Sequence, residues 1–110
     1  MVRSQFNQAN LTASTKTANI MAGDVNEFVT EQSEVTIYAI SSASGVRISV
    51  FADGDLIVDD KELLTIGTSL IIPDNMLTSF SVDAGTRLAI YLRETAGAST
   101  TDVLLAVDVD

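Results

Sequence analysis

Apolar side chains recur at every second position through much of this chain. Val35, Ile37 and Ala39 share one parity across residues 35–40, and Val46, Ile48 and Val50 alternate with Arg47 and Ser49. Leu88, Ile90 and Leu92 alternate with Arg87, Ala89, Tyr91 and Arg93; Val103, Leu105, Val107 and Val109 alternate with Asp102, Leu104, Ala106 and Asp108. Successive side chains of a strand point to opposite faces, so each run predicts a strand with one face in a core. The β-branched content agrees, because such side chains fit a pleated surface.

Turn residues punctuate these runs. Asp53-Gly54 separates residues 46–52 from 55–58, and Asp-Gly is the preferred pair of a tight type I′ hairpin. Asp83-Ala84-Gly85 divides residues 78–82 from 86–93 and suits a three-residue turn with a glycine bulge. Residues 41–45 and 95–100 read as further connections, and Pro73-Asp74-Asn75 ends the apolar run 70–72. The spacing predicts an all-β fold: a single antiparallel β-sandwich, jelly-roll-like or immunoglobulin-like, of about seven to nine short strands. Residues 35–40, 46–52 and 55–58 read as consecutive hairpins, and 78–82, 86–93 and 102–109 as a second meander facing them. One helical turn is expected at Asp59-Asp60-Lys61-Glu62-Leu63-Leu64, capped by Asp59 or Asp60.

Two strands are apolar on both faces. Tyr38 and Ile40 lie opposite Val35 and Ile37, and Leu104 and Ala106 lie opposite Val103 and Leu105. A sandwich with wet outer faces would carry polar residues there, so these strands are either covered internally or meet another subunit. A terminal strand is often an edge, which makes residues 102–109 the stronger candidate for pairing with a neighbour. Residues 1–22 break the pattern. They are rich in Asn, Gln, Ser, Thr and Ala, with Phe6, Leu11 and Ile20 as isolated apolar points. They read as an extended N-terminal arm, with one strand near residues 11–18, ahead of a sandwich domain over residues 23–110.

At 110 residues the chain has room for one core. Cysteine and histidine are absent, which removes disulfide scaffolds, Cys-His and Ser-His-Asp catalysis, and zinc sites on nitrogen and sulfur. Six Lys and Arg face 15 Asp and Glu, a net charge of −9. Arg3, Lys16, Arg47, Lys61, Arg87 and Arg93 are scattered, so no basic stripe invites nucleic acid, and an anionic membrane surface is disfavoured too. No apolar run approaches the roughly 18–20 residues that span a bilayer. The first twenty residues lack a signal-peptide core, so cytoplasmic synthesis is expected and the sequon Asn10-Leu11-Thr12 carries no weight.

The best candidate for chemistry is the acidic stretch Asp53, Asp55 and Asp59, continued by Asp60 and Glu62, whose carboxylates could supply oxygens to a hard cation. Its spacing is not that of an EF-hand loop, and a hairpin tip followed by a solvated turn accounts for it. Paired carboxylates also raise glycoside hydrolysis, which needs an aromatic-lined cleft. The aromatics are Phe6, Phe28, Phe51, Phe80, Tyr38 and Tyr91, and several fall at strand positions that read as packing. Serines have no histidine to activate them, and Lys16 and Lys61 sit in polar surroundings unsuited to a Ser-Lys pair. The glycines form neither a phosphate loop nor a dinucleotide fingerprint. The sequence reads as a non-enzyme without catalytic residues, resident metal or cofactor.

A short cysteine-free chain, a Ser/Thr/Ala-rich stretch over residues 1–22 and a β-domain behind it define its general character. In this it resembles the small accessory proteins of bacteriophage virions, the capsid cement or decoration proteins. The resemblance implies a homo-oligomer, a trimer by preference, clamping the major capsid protein on the outer surface of the virion, where net negative charge is at home. The arm would add a strand to a neighbour's exposed edge. Phe6, Leu11 and Ile20 of the arm, with Tyr38, Ile40, Leu104 and Ala106 of the two-faced strands, are the expected assembly interface. The alternative is a carbohydrate- or receptor-binding β-sandwich module of a tail or fibre, using the loops at Asp53–Asp55 and Asp83–Gly85. A subunit of a non-viral shell or filament is a third reading.

Overall fold

The alternating runs become seven strands: β1 (Val2–Gln8), β2 (Ser33–Ser41), β3 (Val46–Ala52), β4 (Asp55–Glu62), β5 (Met76–Val82), β6 (Leu88–Glu94) and β7 (Val103–Val109). The computed structural model describes residues 2–65 and 75–110. The apolar run 70–72 and the turn expected at Pro73 and Asp74 lie outside the described residues. All strand pairs are antiparallel, in two sheets ordered β1-β7-β2-β5 and β4-β3-β6, and the described residues contain no helix. The inward parity is the one read from the sequence. Val35, Ile37, Ala39, Val103, Leu105 and Val107 of one sheet meet Val46, Ile48, Val50, Leu88, Ile90 and Leu92 of the other in a single buried cluster.

Residues 15–20 complete the second sheet. They run along the free edge of β6, bridging at Lys16 and Arg93, with Thr17 N–H donating to Leu92 O at 2.8 Å and Ile20 N–H to Ile90 O at 2.9 Å. Counting that segment as the second of eight strands, first pairs with eighth (β1·β7), second with seventh (residues 15–20 with β6), third with sixth (β2·β5) and fourth with fifth (β3·β4). This nesting is one long hairpin wound over itself, closed into two sheets by the β2·β7 and β3·β6 pairs. Such wrapping is the jelly roll, and it excludes the immunoglobulin alternative.

Four expectations are corrected. First, only β3–β4 of the supposed hairpins is one; its Asp53 and Gly54 have φ of 54° and 87°, as a type I′ turn requires. The connections β2–β3, β5–β6 and β6–β7 cross between sheets. Turn residues mark where the chain reverses, not which neighbour it then pairs with. Second, the helical turn at 59–64 is strand as far as Glu62, held by pairings Ile48·Lys61 and Arg47·Glu62 around irregularities at which Asp60 takes a φ of 47°. Ladder bonds outweigh a local capping preference. Third, β7 is not an edge; it lies between β1 and β2, so its two-faced character belongs to an interior strand.

Fourth, residues 1–22 are not a free arm. Val2–Gln8 pairs with β7 along its whole length, and Leu11 and Met21 belong to the core cluster. The polar composition concealed this because polar side chains do the work of ladder carbonyls. Asn19 Oδ1 accepts the N–H of Ile90 at 3.0 Å, and Thr17 Oγ1 accepts that of Leu92 at 3.0 Å. Buried backbone donors need partners, and these side chains supply them.

Candidate functional site

The outward parity of β3 and β6 sets charged, hydroxyl and aromatic side chains side by side. Cross-strand register sets Arg47 opposite Arg93, Ser49 opposite Tyr91, and Phe51 opposite Ala89. Two guanidinium groups directly opposed would repel. Asp60 resolves this from β4: its carboxylate accepts from Arg93 Nε at 3.1 Å, from Arg93 Nη2, and from Arg47 Nε at 3.4 Å. The hydrogen bond from Arg93, more than the nearby charges, holds the Asp60 carboxyl below its usual range against a desolvation that opposes it. Asp60 stands at the irregularity in the β3·β4 pairing, with a φ of 47°.

Beside this ion triad the Phe51 and Tyr91 rings meet edge to face, centroids 5.8 Å apart and planes at 83°. The Lys16 ammonium lies 4.8 Å from the Tyr91 ring centre, delivered there by the segment along β6. At the far end the hairpin tip Asp53-Gly54 faces Arg87, whose guanidinium pairs with Glu27 at 3.0 Å and lies 6.0 Å from the Phe28 ring centre. Glu27 is held below the usual carboxylate range, first by the Gly23 N–H and then by Arg87. Together Lys16, Thr17, Phe51, Asp53, Gly54, Arg87, Ala89 and Tyr91 line an open hollow of about 760 Å³. Lys16, Arg47, Arg87 and Arg93, four of the six cations in the chain, gather on this side.

The residues expected at an assembly interface are placed differently. Leu11 belongs to the core, Ile40 and Ala106 are fully buried, and Tyr38 is buried on the other face of the sheet. Phe6 and Ile20 pack, partly buried, against the core of their own chain. Phe6 and half-buried Leu104 come together, lining a small cavity of about 280 Å³ with Gln5, Asn7 and Leu105. Of the acidic candidates, Asp53 forms the hairpin tip and Asp55 and Asp59 are exposed on β4; among the described residues no group of three or more His, Cys, Asp or Glu could hold a metal ion.

Sequence reasoning missed the aromatic pair as surface. Several of the six aromatics read as packing with no pair singled out, although the parity of Phe51 and Tyr91, opposite to that of Val50 and Ile90, sets these two outward. It also missed exposed Val25, Phe28, Leu64 and Met76, which lie in loops or at a strand end where periodicity gives no signal. A third charged group, Glu94, is buried on the inward face. Its carboxylate accepts the N–H groups of Ser14 (3.0 Å), Ala96 (3.0 Å) and Gly97 (2.8 Å), which hold its pKa below the ordinary glutamate value, Ser14 contributing most. It clips the N-terminal segment to the loop after β6. No protein-family model matches the chain, and the search of curated proteins found no match either.

Proposed function

We infer that the chain is a structural subunit of a virion, a capsid decoration protein that docks on the outer capsid surface and on copies of itself through the edges and faces of its sandwich. The observation that carries this is the uneven protection of its sheet edges. β4 is bulged and charged, with Asp55, Asp59, Asp60, Lys61 and Glu62, and the β6 edge is covered by the chain's own residues 15–20 and 27–29. Among the described residues the outer strands of the other sheet are guarded less: the β2·β5 pairing has one register shift, and on β1 Asn26 Nδ2 donates to Val2 O at 3.1 Å, but neither strand carries a run of charges. Met76–Val82 has no charged residue, and the one charge of Val2–Gln8, Arg3, is bound to Asp108 at 2.6 Å. Edges with few charges invite strand pairing, and natural monomers suppress them. The jelly roll is also a frequent fold of capsid proteins, a support by analogy alone. On this reading β1 adds its outer edge to a neighbour while remaining in its own sheet.

The test is co-migration. Purified chain is mixed with preformed shells of a bacteriophage major capsid protein and separated on a density gradient. Binding at fixed stoichiometry is expected, weakened by Asn7→Lys and Ser81→Lys, which place a charge on each of these edge strands. Recovery of the chain only at the top of the gradient would overturn the reading.

A further inference from the structure

Ala89 makes the hollow on the outer face of the smaller sheet. It follows Arg87 and precedes Tyr91 in the outward row of β6 and stands opposite Phe51, so a single methyl group occupies a place whose neighbours carry rings and long stems. Phe51, Ala89 and Tyr91 supply the apolar part of its lining, and Lys16, held over the Tyr91 ring, makes the polar rim with Asp53 and Arg87. The volume of about 760 Å³ falls within the ~300–1,000 Å³ of small-molecule sites, whose usual chemistry is an apolar floor with a few placed polar groups.

The rim decides the ligand. Lys16 offers a positive charge, but Arg87 is already matched by Glu27, and Asp53 adds a negative charge at the same rim. An anion gains little from that balance, and an acidic peptide would meet Asp53. A purely apolar molecule would strip water from Lys16 and Asp53 and return no hydrogen bond, which is costly. A ring with one C–H face and hydroxyls at its margin satisfies both requirements. The hydroxyl oxygens accept from Lys16 and Arg87, and a hydroxyl proton goes to the Asp53 carboxylate, which otherwise receives a long 3.4 Å bond from the Arg87 N–H.

We propose that this face binds a neutral saccharide, with the sugar ring on Phe51, Ala89 and Tyr91 and its hydroxyls on Lys16, Arg87 and Asp53. The site does not depend on a place in a capsid, so the two readings fail separately. The isotope-labelled full chain is titrated by NMR with methyl glucoside, methyl galactoside, methyl mannoside and N-acetylglucosamine, and with linear oligomers of each. At least one probe is expected to give saturable shifts confined to the amides of residues 16–17, 51–54 and 87–91. Ala89→Leu fills the hollow and abolishes those shifts with the unfolding midpoint kept. Asp53→Asn, tolerated at positive φ, weakens binding without disturbing the hairpin. Absence of shifts at millimolar sugar, or shifts that survive both substitutions, overturns the proposal. So does a poly-glutamate peptide that moves these amides where the sugars do not.

Discussion

Truncating Leu11 to alanine separates the two descriptions of the N-terminal residues. Leu11 is 5% exposed within the core cluster, and its N–H donates to Thr101 O at 2.9 Å. Burying a leucine side chain is worth about 1.5–3 kcal/mol in transfer alone. Leu→Ala in a core costs about 2–5 kcal/mol once the residual cavity is included. Leu11 sits in a connection between β1 and the segment on β6, which can settle inward, so a loss of about 2–3 kcal/mol is expected. A domain has about 5–15 kcal/mol of stability, so this is a large share. With a urea slope of about 1–3 kcal/mol per molar, the midpoint should fall by roughly 0.7–3 M at unchanged slope. Equilibrium urea unfolding followed by circular dichroism measures it, with exposed Val25→Ala as a control expected within about 0.5 kcal/mol of the parent. If Leu11→Ala leaves the midpoint where Val25→Ala does, Leu11 is not in the core and residues 1–22 are an arm after all.

Three further outcomes are expected. Gly54→Ala introduces a side chain at φ 87° with nothing within 4 Å and should cost about 1 kcal/mol net, whereas Gly45→Ala, at φ 97° with its Cβ 2.6 Å from that of Ala96, should cost about 2–4 kcal/mol. Ala96→Gly should recover part of the Gly45→Ala loss, and equal midpoint shifts for the two alanine variants would contradict the clash. Glu94, Glu27 and Asp60 all have folded-state pKa values below their ordinary ones, so the unfolded chain binds more protons in acid. Their stabilisation is complete at neutral pH and is lost as pH falls from about 4.5 through the lower folded values, and Glu94→Gln should flatten that acid limb in a pH series of thermal melts. Asp60→Asn should lower the melting temperature by leaving Arg47 and Arg93 opposed, and added salt should restore part of the loss by screening them; an indifferent melting temperature would refute the triad's role.

Periodicity along the chain determined which residues face inward. The runs at 35–40, 46–52, 88–92 and 103–109 meet in one core with the parity read from them, because a strand's two faces are set by its own geometry and need no partner. The type I′ turn at Asp53-Gly54 was legible for the same reason: a positive φ is a property of two adjacent residues. The outward row Arg87, Ala89, Tyr91, Arg93 was equally legible in the sequence, but its place beside Lys16 and Asp53 was not. Pairing was different. That Val2–Gln8 lies on β7, that β7 is interior, and that 15–20 closes the β6 edge depend on hydrogen bonds between residues far apart in the chain. A polar strand whose side chains replace carbonyls leaves no hydrophobic trace, so residues 1–22 looked like an arm. The hollow has the same origin. Lys16, Asp53 and Tyr91 share no local signal, and it took the winding of the long hairpin to bring an ammonium, a hairpin tip and two rings around the methyl group of Ala89.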